Sequence, residues 1–354
     1  MKVGVIGASF AKKAMLPALA HIPEVEVVAL ASARLSSAQD AARSFNVGHV
    51  YDDWQAMLAA HEFDLVCMAT PTDTHAPMVL AALEAGAHVL SEKPMAMNAT
   101  EAKQMLDRAE SLERVHMIDH ELRFNPTRVK LKQLLDEGAI GEVRHVNIVN
   151  ISASWGDPAS RPAGDWWSLA ERGGGRLGAN GSHQIDLLRW WFGEVTAVNG
   201  QVATLVPGRV DPTTGEAWTA TADDEVSFTL ELTGCPLVSV FLSGAARHGQ
   251  DNTTLIVGSE GTIKLANSDE RLWVAKAGED FVDMSVDDPN AQLEGVNPGI
   301  WNVSVVSLMR ELTSAIREGR PLAQGATFED GYKCQVVMDA IKQSSDERRW
   351  ITVS

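Results

Sequence analysis

The sequence predicts an α/β fold in two parts: an N-terminal Rossmann domain with a doubly wound parallel sheet over residues 1–122, and a C-terminal α+β domain with a largely antiparallel open sheet over residues 123–354. Three observations support this. The 354-residue chain is about twice a typical domain length. Short β-branched runs alternate with helical stretches in its first third, as in βαβ units. Polar and apolar residues alternate from about 195 to 276, as in antiparallel strands.

The first domain is expected to contain six parallel strands. The nearly unbroken apolar run that follows Asp64 is typical of a central strand covered on both faces. Helices are expected near 11–20, over 36–45, from residue 54 and over 75–84. The predicted strands are 3–6, 25–30, 49–51, 64–69, 88–90 and 115–118.

The second domain begins with a helix that has Pro126 in its first turn and that Gly138 and Gly141 close. A strand follows at 143–151, and the clearest alternation lies at 225–232. Two helices, 302–318 and 327–345, come last, and the final helix is expected to return to the first domain.

Charge and cysteine content narrow the function classes. A formal net charge of −17 disfavours nucleic acid or an anionic membrane as the main partner, because either would be repelled. Cys67, Cys235 and Cys334 are far apart and lack metal-ligand spacing, which predicts buried thiols in a reducing cytoplasm and no metal site. No apolar run approaches the roughly 18 residues that span a bilayer, and Lys12-Lys13 interrupts any signal peptide.

A glycine turn between the first strand and its helix lets backbone amides approach a pyrophosphate. Gly7 keeps this turn, Ser9 replaces the second glycine of the usual fingerprint, and Ala11-Lys12 stand where the third is expected. The alternative is a strand-to-helix turn without a ligand. The predicted cofactor contacts here are Gly7, Ser9, Phe10, Ala11 and Lys12.

The choice between NAD and NADP usually depends on the end of the second strand. No acid stands there, whereas Ser32 and Arg34 can bind a 2′-phosphate, with Lys12 adding a charge. The sequence therefore favours NADP over NAD. The alternative is that Arg34 is simply solvated at a helix start.

Two motifs follow the fourth and fifth strands, at the carboxyl edge where open α/β sheets bind ligands. They are Thr-Pro-x-x-x-His at 70–75 and Glu92-Lys93-Pro94. With them the chain resembles the glucose-fructose oxidoreductase, inositol dehydrogenase and MocA (Gfo/Idh/MocA) family over nearly its whole length. Further matching segments are Arg-Phe-Asn-Pro at 123–126, Gly-Ala-Ile-Gly at 138–141, the stretch 173–186 and Phe-Glu-Asp-Gly at 328–331.

The resemblance implies that Lys93 lies beside the nicotinamide and the reacting carbon and donates to the substrate oxygen. A partly desolvated lysine near a cationic ring can also relay a proton. A surface lysine that snorkels into water is the alternative. Glu92 would orient Lys93 or contact the cofactor, Thr70 and Thr72 would line its ribose and pyrophosphate, and His75 is either a cofactor contact or structural.

In the second domain, the resemblance implies that His183 is an acid/base on the substrate, with a helix starting near Ser182. The family usually carries an Asp four residues earlier, and Ala179 stands there instead. Asn180 and Asp186 are conceivable substitutes, and a structural histidine is the alternative. The glycine run at 173–175 favours close approach of the backbone to a ligand.

Further residues are predicted to contact the substrate. Glu121 and Arg123 follow the sixth strand, and Trp155, Arg161, Trp166 and Trp167 precede the glycine run. A tryptophan platform with a nearby arginine suits a sugar ring or an acidic substrate, although core or interface roles are equally open. The resemblance further implies a homo-dimer or homo-tetramer that associates through the open sheet.

Taken together, these features predict a cytoplasmic NADP(H)-dependent oxidoreductase that transfers a hydride to or from a secondary alcohol or carbonyl of a sugar, cyclitol or related diol. Lys93 and His183 would handle the proton. Two alternatives stay open. One is a cofactor-binding sensor without turnover, and the other is a lyase, epimerase or glycosidase that uses a tightly held cofactor for internal redox chemistry.

Overall fold

The computed structural model describes residues 1–250, 252–266 and 268–353. The chain forms two compact units. Unit 1 comprises Met1–Asn125 and Asp288–Lys333, and unit 2 comprises Pro126–Asp287 and Cys334–Ser354.

Unit 1 is built on a six-stranded sheet in which every neighbouring pair is parallel. The strand order is β3-β2-β1-β4-β5-β6. Successive strands are therefore added on one side of β1 as far as β3 and on its other side from β4 onward, which is the Rossmann arrangement predicted from the sequence. The strands are β1 (Lys2–Ile6), β2 (Glu26–Ala31), β3 (His49–Tyr51), β4 (Leu65–Met68), β5 (His88–Ser91) and β6 (His116–Ile118).

The helices of the first 125 residues are α1 (Ser9–Lys13), α2 (Met15–Ala20), α3 (Leu35–Phe45), α4 (Trp54–Ala60), α5 (His75–Glu84) and α6 (Ala99–Ser111). The single helix expected near 11–20 is therefore wrong: the backbone breaks at Ala14. Pro17 has no N–H to donate to the carbonyl of Lys13, so a continuous helix would lose a hydrogen bond there.

The two faces of the parallel sheet are both buried, as the apolar strands predicted. All four residues of β4 are inaccessible, including the Cys67 thiol. One apolar cluster packs residues of α1, α2 and α3 against one face, and a second packs residues of α4, α5 and α6 against the other.

Unit 2 contains a nine-stranded sheet in the order β16-β15-β14-β13-β7-β12-β11-β8-β17. Only β7 and β12 run parallel among the neighbours in this sheet, as far as the described residues extend, so the predicted largely antiparallel open sheet is confirmed. The strands are β7 (Val143–Ile151), β8 (Val195–Ala203), β9 (Gly208–Val210), β10 (Ala217–Thr219), β11 (Glu225–Leu232), β12 (Cys235–Ser243), β13 (Thr253–Gly258), β14 (Gly261–Ala266), β15 (Arg271–Lys276), β16 (Val282–Asp283) and β17 (Ile351–Thr352), with β9 and β10 forming a separate hairpin.

The helices of the rest of the chain are α7 (Pro126–Asp136), α8 (Ser182–Phe192), α9 (Ile300–Glu318) and α10 (Phe328–Glu347). Strand β17 was not expected, because a two-residue strand carries no periodic signal. It pairs with β8 through Ile351 and Val198. Among the residues described, no helix combines the length and apolarity needed to cross a bilayer.

Candidate active site

The turn after β1 requires a glycine. Gly7 has a φ of +98°, and a Cβ at this position would lie 2.1 Å from the carbonyl oxygen of Ala69. The Gly7 N–H donates to Ala31 O at 2.8 Å, which ties the turn to the neighbouring strand. The position therefore leaves no room for a side chain, and the tight turn predicted there is present.

Helix α1 follows this turn. Ser9 is exposed at its start, and no side chain in the described part of the chain caps that end. Phe10 is half-buried, whereas Ala11 is fully buried in the core cluster. Ala11 thus serves the close helix-to-sheet packing that the third glycine of the fingerprint usually allows, and its side chain does not face open space.

The expectation that Lys12 adds a charge for a 2′-phosphate is not supported by its contacts. Its ammonium group is ion-paired with Asp40 of α3, and this pairing lowers the pKa of the Asp40 carboxyl. Arg34 is exposed immediately before α3, and Ser32 is half-buried, with its N–H donating to Tyr51 O at 3.0 Å. Ser32 and Arg34 therefore flank the end of β2 as predicted, while Lys12 already has a carboxylate partner.

The loops after β4 and β5 are held together by His75. Its Nδ1 lies 3.1 Å from Pro94 O and its Nε2 lies 2.9 Å from Thr70 O. The ring is 0% exposed, and burial lowers its pKa. Both nitrogens face backbone carbonyls, so the structural alternative for His75 explains its contacts better than a cofactor contact does.

The threonines of the first loop differ in their contacts. Thr70 Oγ1 accepts a hydrogen bond from Thr74 Oγ1 at 2.9 Å. Thr72 is buried, and its hydroxyl makes no hydrogen bond to any residue the structure describes. A buried hydroxyl is costly unless something pairs with it. The Gly7 turn and the Thr72 hydroxyl therefore both fit a dinucleotide at this edge.

Lys93 is half-buried directly after Glu92. Its backbone N–H donates to Glu92 Oε2 at 3.1 Å, and its peptide bond to Pro94 is cis. Burial raises the pKa of Glu92, and the nearby positive charge of Lys93 opposes this. A lysine whose backbone N–H is held by a buried carboxyl is positioned to donate from its side chain to an anionic oxygen.

The turn after β6 carries Glu121 and Arg123, both buried. The Arg123 guanidinium is ion-paired with Asp330 at 3.1 Å and donates to Gly325 O at 3.0 Å. A buried arginine needs such partners to offset its desolvation. Arg123 therefore ties this turn to the Phe-Glu-Asp-Gly segment, and its contact with substrate stays a prediction.

In unit 2 the glycine run lies close to protein atoms, and its expected close approach to a ligand stays a prediction. A Cβ on Gly174 would lie 2.4 Å from Trp166 O. Gly175 has a φ of +117°, and its Cβ would lie 2.2 Å from Asp223 Oδ1. These glycines let the segment pack against the tryptophan loop and against Asp223.

Asp223 and Arg176 were missed by sequence reasoning. Asp223 Oδ2 accepts the N–H of Leu177 at 2.8 Å, and its carbonyl accepts the N–H of Arg176. The Arg176 guanidinium donates to Asn150 Oδ1 at 2.6 Å, and burial lowers the pKa of Arg176 to about 10. Burial also raises the pKa of Asp223. No local pattern links these residues, because they meet only through the sheet.

A π-helical turn over Leu177–Gly181 leads into α8. Such turns are rare and often occur at functional sites. Ala179 and Asn180 lie on this turn, half-buried, and His183 follows in the first turn of α8 with 1% exposure. Asp186 is buried three residues further along, on the same side of the helix as His183.

The tryptophans of the preceding loop fall into two classes. Trp166 and Trp167 are half-buried and stacked, with ring centroids 4.0 Å apart. Trp155 is buried, with the Arg161 guanidinium 5.9 Å from its ring centroid, and Arg161 is also ion-paired with Asp165 at 3.5 Å. Trp155 is therefore a core residue, and the accessible aromatic pair is Trp166 with Trp167.

Comparison with known proteins agrees with this arrangement. Residues 1–120 match a family model described as an oxidoreductase family with an NAD-binding Rossmann fold, named for Gfo, Idh and MocA. Residues 129–264 match the model of the Gfo/Idh/MocA C-terminal domain.

Individual relatives span the whole chain. Levoglucosan dehydrogenase from Pseudarthrobacter phenanthrenivorans is 30% identical, over 100% of this chain and 98% of the relative. Inositol 2-dehydrogenase from Rhizobium meliloti is 24% identical, over 100% and 99%. A solved structure of levoglucosan dehydrogenase in complex with NADH and levoglucosan superposes with a TM-score of 0.88 at 29% identity, covering 100% of this chain and 99% of the other.

Proposed function

Because the chain belongs to the Gfo/Idh/MocA family of oxidoreductases, we propose that it is an NADP(H)-dependent dehydrogenase or reductase for a secondary alcohol or carbonyl of a sugar, cyclitol or related diol. The observation that carries the proposal is the position of Lys93. Its backbone N–H donates to the buried carboxyl of Glu92. Lys93 lies at the same sheet edge as the Gly7 turn and the Thr72 hydroxyl, which has no hydrogen-bond partner among the described residues.

The nicotinamide, when bound, supplies or accepts the hydride. The chain's own residues manage the proton. In oxidation, Lys93 accepts the proton that the substrate hydroxyl loses, and in reduction it donates one to the oxygen that becomes the hydroxyl. His183 is proposed as a second acid/base on the substrate, with Asn180 or Asp186 in place of the carboxylate that Ala179 lacks.

The preference for NADP is proposed from the end of β2. No acid stands there to accept the 2′-hydroxyl of NAD, and the exposed Arg34 and the Ser32 hydroxyl can both donate to a phosphate. The levoglucosan dehydrogenase structure contains NADH, so the two cofactors must be compared directly. Arg34→Ala is expected to weaken NADPH binding about tenfold and to leave NADH binding nearly unchanged, since a charge-assisted contact contributes about 1.5 kcal/mol.

A sugar or polyol as substrate is supported by the stacked Trp166 and Trp167, because aromatic rings bind the apolar faces of sugars, and by the substrates named for the relatives. We also propose a homo-oligomer that associates through the exposed face of the unit 2 sheet, where Leu237 of β12 is half exposed, and a cytoplasmic location.

The deciding experiment titrates the purified protein with NADPH and with NADH while nicotinamide fluorescence is recorded, and then assays a polyol and ketose panel. The proposal expects binding of NADPH and turnover of at least one panel member that disappears in Lys93→Ala. Absence of any fluorescence change with both cofactors would refute it. Binding without turnover would favour a sensor, and a cofactor that co-purifies and never exchanges would favour internal redox chemistry.

A further inference from the structure

A second acid, Asp119, lies beside the Glu92-Lys93 pair, directly after the neighbouring strand β6. Strands β5 and β6 are parallel and in register, with Ser91 opposite Ile118. The next residues along these strands are therefore neighbours, and the Asp119 N–H donates to Ser91 O at 2.8 Å. This register places Asp119 next to Glu92.

The two carboxyl groups are unusually buried. Glu92 is 8% exposed and Asp119 is 1% exposed. Among the residues described, neither oxygen of Asp119 has a hydrogen bond of normal geometry, and neither does Oε1 of Glu92. Two ionised carboxylates in such a buried place would repel each other strongly, because the dielectric there is low.

The groups that face this pair do not cancel two negative charges. Lys93 is a cation whose charge lowers the pKa of both acids, and Glu121 adds a third buried carboxyl. His120 is buried next to Asp119 in the chain. Burial raises the pKa of the Cys67 thiol on β4, and the charge of Asp119 adds to this effect. Arg123, the arginine of the same turn, is ion-paired with Asp330.

We propose that Glu92 and Asp119 share one proton and form a positioning pair, which keeps a single negative charge at the base of Lys93. The pairing of two buried acids at adjacent register positions follows the principle of other carboxyl dyads, in which close like charges cannot both ionise. Burial raises the pKa of both acids, and the charges of Glu92 and Glu121 raise that of Asp119 further. Asp119 would act through Glu92 and need not touch substrate.

The shared proton has a consequence for Lys93. At neutral pH the pair places one negative charge beside Lys93. As pH rises, loss of the second proton places a second negative charge there. The role toward Lys93 rests on the proposed function, whereas the shared proton itself does not.

The proton can be detected without any activity. A protonated carboxylic acid has an infrared C=O stretch that ionised carboxylates lack and that D₂O shifts. We expect this band in the wild type at pH 7 and its loss in Asp119→Asn, because the amide donates to Glu92 and leaves it ionised. We expect the same loss in Glu92→Gln, because the single charge then moves to Asp119.

Two controls locate the proton. Asp223 is also buried with a raised pKa, so each variant is compared by difference spectrum and Asp223→Asn identifies any band of its own. Glu121→Gln must keep the band. Retention of the band in Asp119→Asn would overturn the proposal, as would its loss in Glu121→Gln. Retention in Glu92→Gln would also overturn it, because the proton would then belong to Asp119 alone.

A measurement on the wild type covers the case in which a variant fails to fold. With ¹³C-labelled carboxyl groups, the carbons of Glu92 and Asp119 should each titrate in two steps, since a coupled pair loses its protons in macroscopic steps. A single step at both carbons would contradict sharing.

The positioning role has its own readout. In carbonyl reduction, the alkaline limb of the kcat/KM profile is expected about one pH unit lower in Asp119→Asn than in the wild type, because the variant cannot place a second negative charge at this site. A merely structural Asp119 would lower thermal stability and leave this limb in place. If no substrate turns over, the proposed function fails while the infrared result still decides the shared proton.

Discussion

The two regions that carry the candidate catalytic groups are built in different ways. At the edge of the unit 1 sheet, Lys93 is surrounded by residues from the ends of neighbouring parallel strands, and buried carboxyls lie at its base. In unit 2, His183 follows a glycine-rich segment held by Asp223, and position 179 is an alanine. Buried acids thus lie directly beside the proposed proton donor of unit 1, whereas in unit 2 the residue at position 179 carries no charge.

The largest effects are expected when the two candidate acid/base groups, Lys93 and His183, are removed one at a time. Lys93→Met should lower kcat by about 10³-fold and leave NADPH binding intact, because general acid/base groups contribute on the order of 10²–10⁴-fold. His183→Asn should cost less, about 10²-fold, since no carboxylate at 179 reinforces it. Steady-state kinetics measures both, with the surface variant Lys103→Met as control. A larger loss in His183→Asn would reverse the assignment.

The second prediction concerns stability in acid and tests the buried edge of unit 1. Nδ1 of His116 accepts the Phe328 N–H at 3.0 Å, and burial lowers the pKa of His116 to about 4. In the unfolded chain the imidazole of His116 takes up a proton below its usual pKa near 6.5. In the folded chain it stays neutral until the pH approaches 4. Stability is therefore full above the pKa of the unfolded chain and falls by about 3 kcal/mol as the pH drops toward 4.

Chemical denaturation of wild type and His116→Asn between pH 7 and pH 4 measures this effect. The asparagine oxygen keeps an acceptor for the Phe328 N–H but does not titrate. The difference in unfolding free energy between the two proteins should shrink as the pH falls. A difference that stays constant with pH would show that His116 does not titrate as its burial implies.

A third prediction addresses the Gly7 turn, the proposed cofactor contact after β1. Gly7→Ala places a Cβ against Ala69 O at a positive φ, and should lower the free energy of unfolding by about 2–3 kcal/mol and weaken NADPH binding. Gly48→Ala is the matched control, because no atom of the described residues lies within 4 Å of its Cβ and it is not among the glycines with positive φ. Equal effects of the two substitutions would contradict this account of the turn.

The smallest effect is expected in unit 2. Asp223→Ala leaves the Leu177 N–H without its acceptor and should cost about 1–2 kcal/mol in stability. If Asp223 also holds the segment before His183 in place, KM for the substrate should rise while NADPH binding stays the same. Asp53→Ala, which removes the cap of α4 in unit 1, controls for the general loss of a cap. An unchanged KM would limit Asp223 to stability.

Much of the unit 1 site could be predicted from the sequence because its parts are local. The Gly7 turn follows a strand, and the two loop motifs end consecutive strands of a parallel sheet, so their meeting at one edge needs only the strand order. The same reasoning could have found Asp119, an acid placed directly after β6. It could not have given the contacts of His75, Lys12 or Arg123, which depend on burial and on partners elsewhere in unit 1.

Sequence patterns were sufficient to predict the two-part α/β fold and to place Lys93 and His183 in their motifs. They also showed that Ala179 stands where the family usually carries an acid. These features depend on short-range periodicity and on residue types at fixed spacing. Only the tertiary structure decided that Gly175 makes room for Asp223, that Trp155 belongs to the core, and that Glu92 lies beside Asp119. Such contacts join residues far apart in the chain, and burial then sets their charge, which local patterns do not encode.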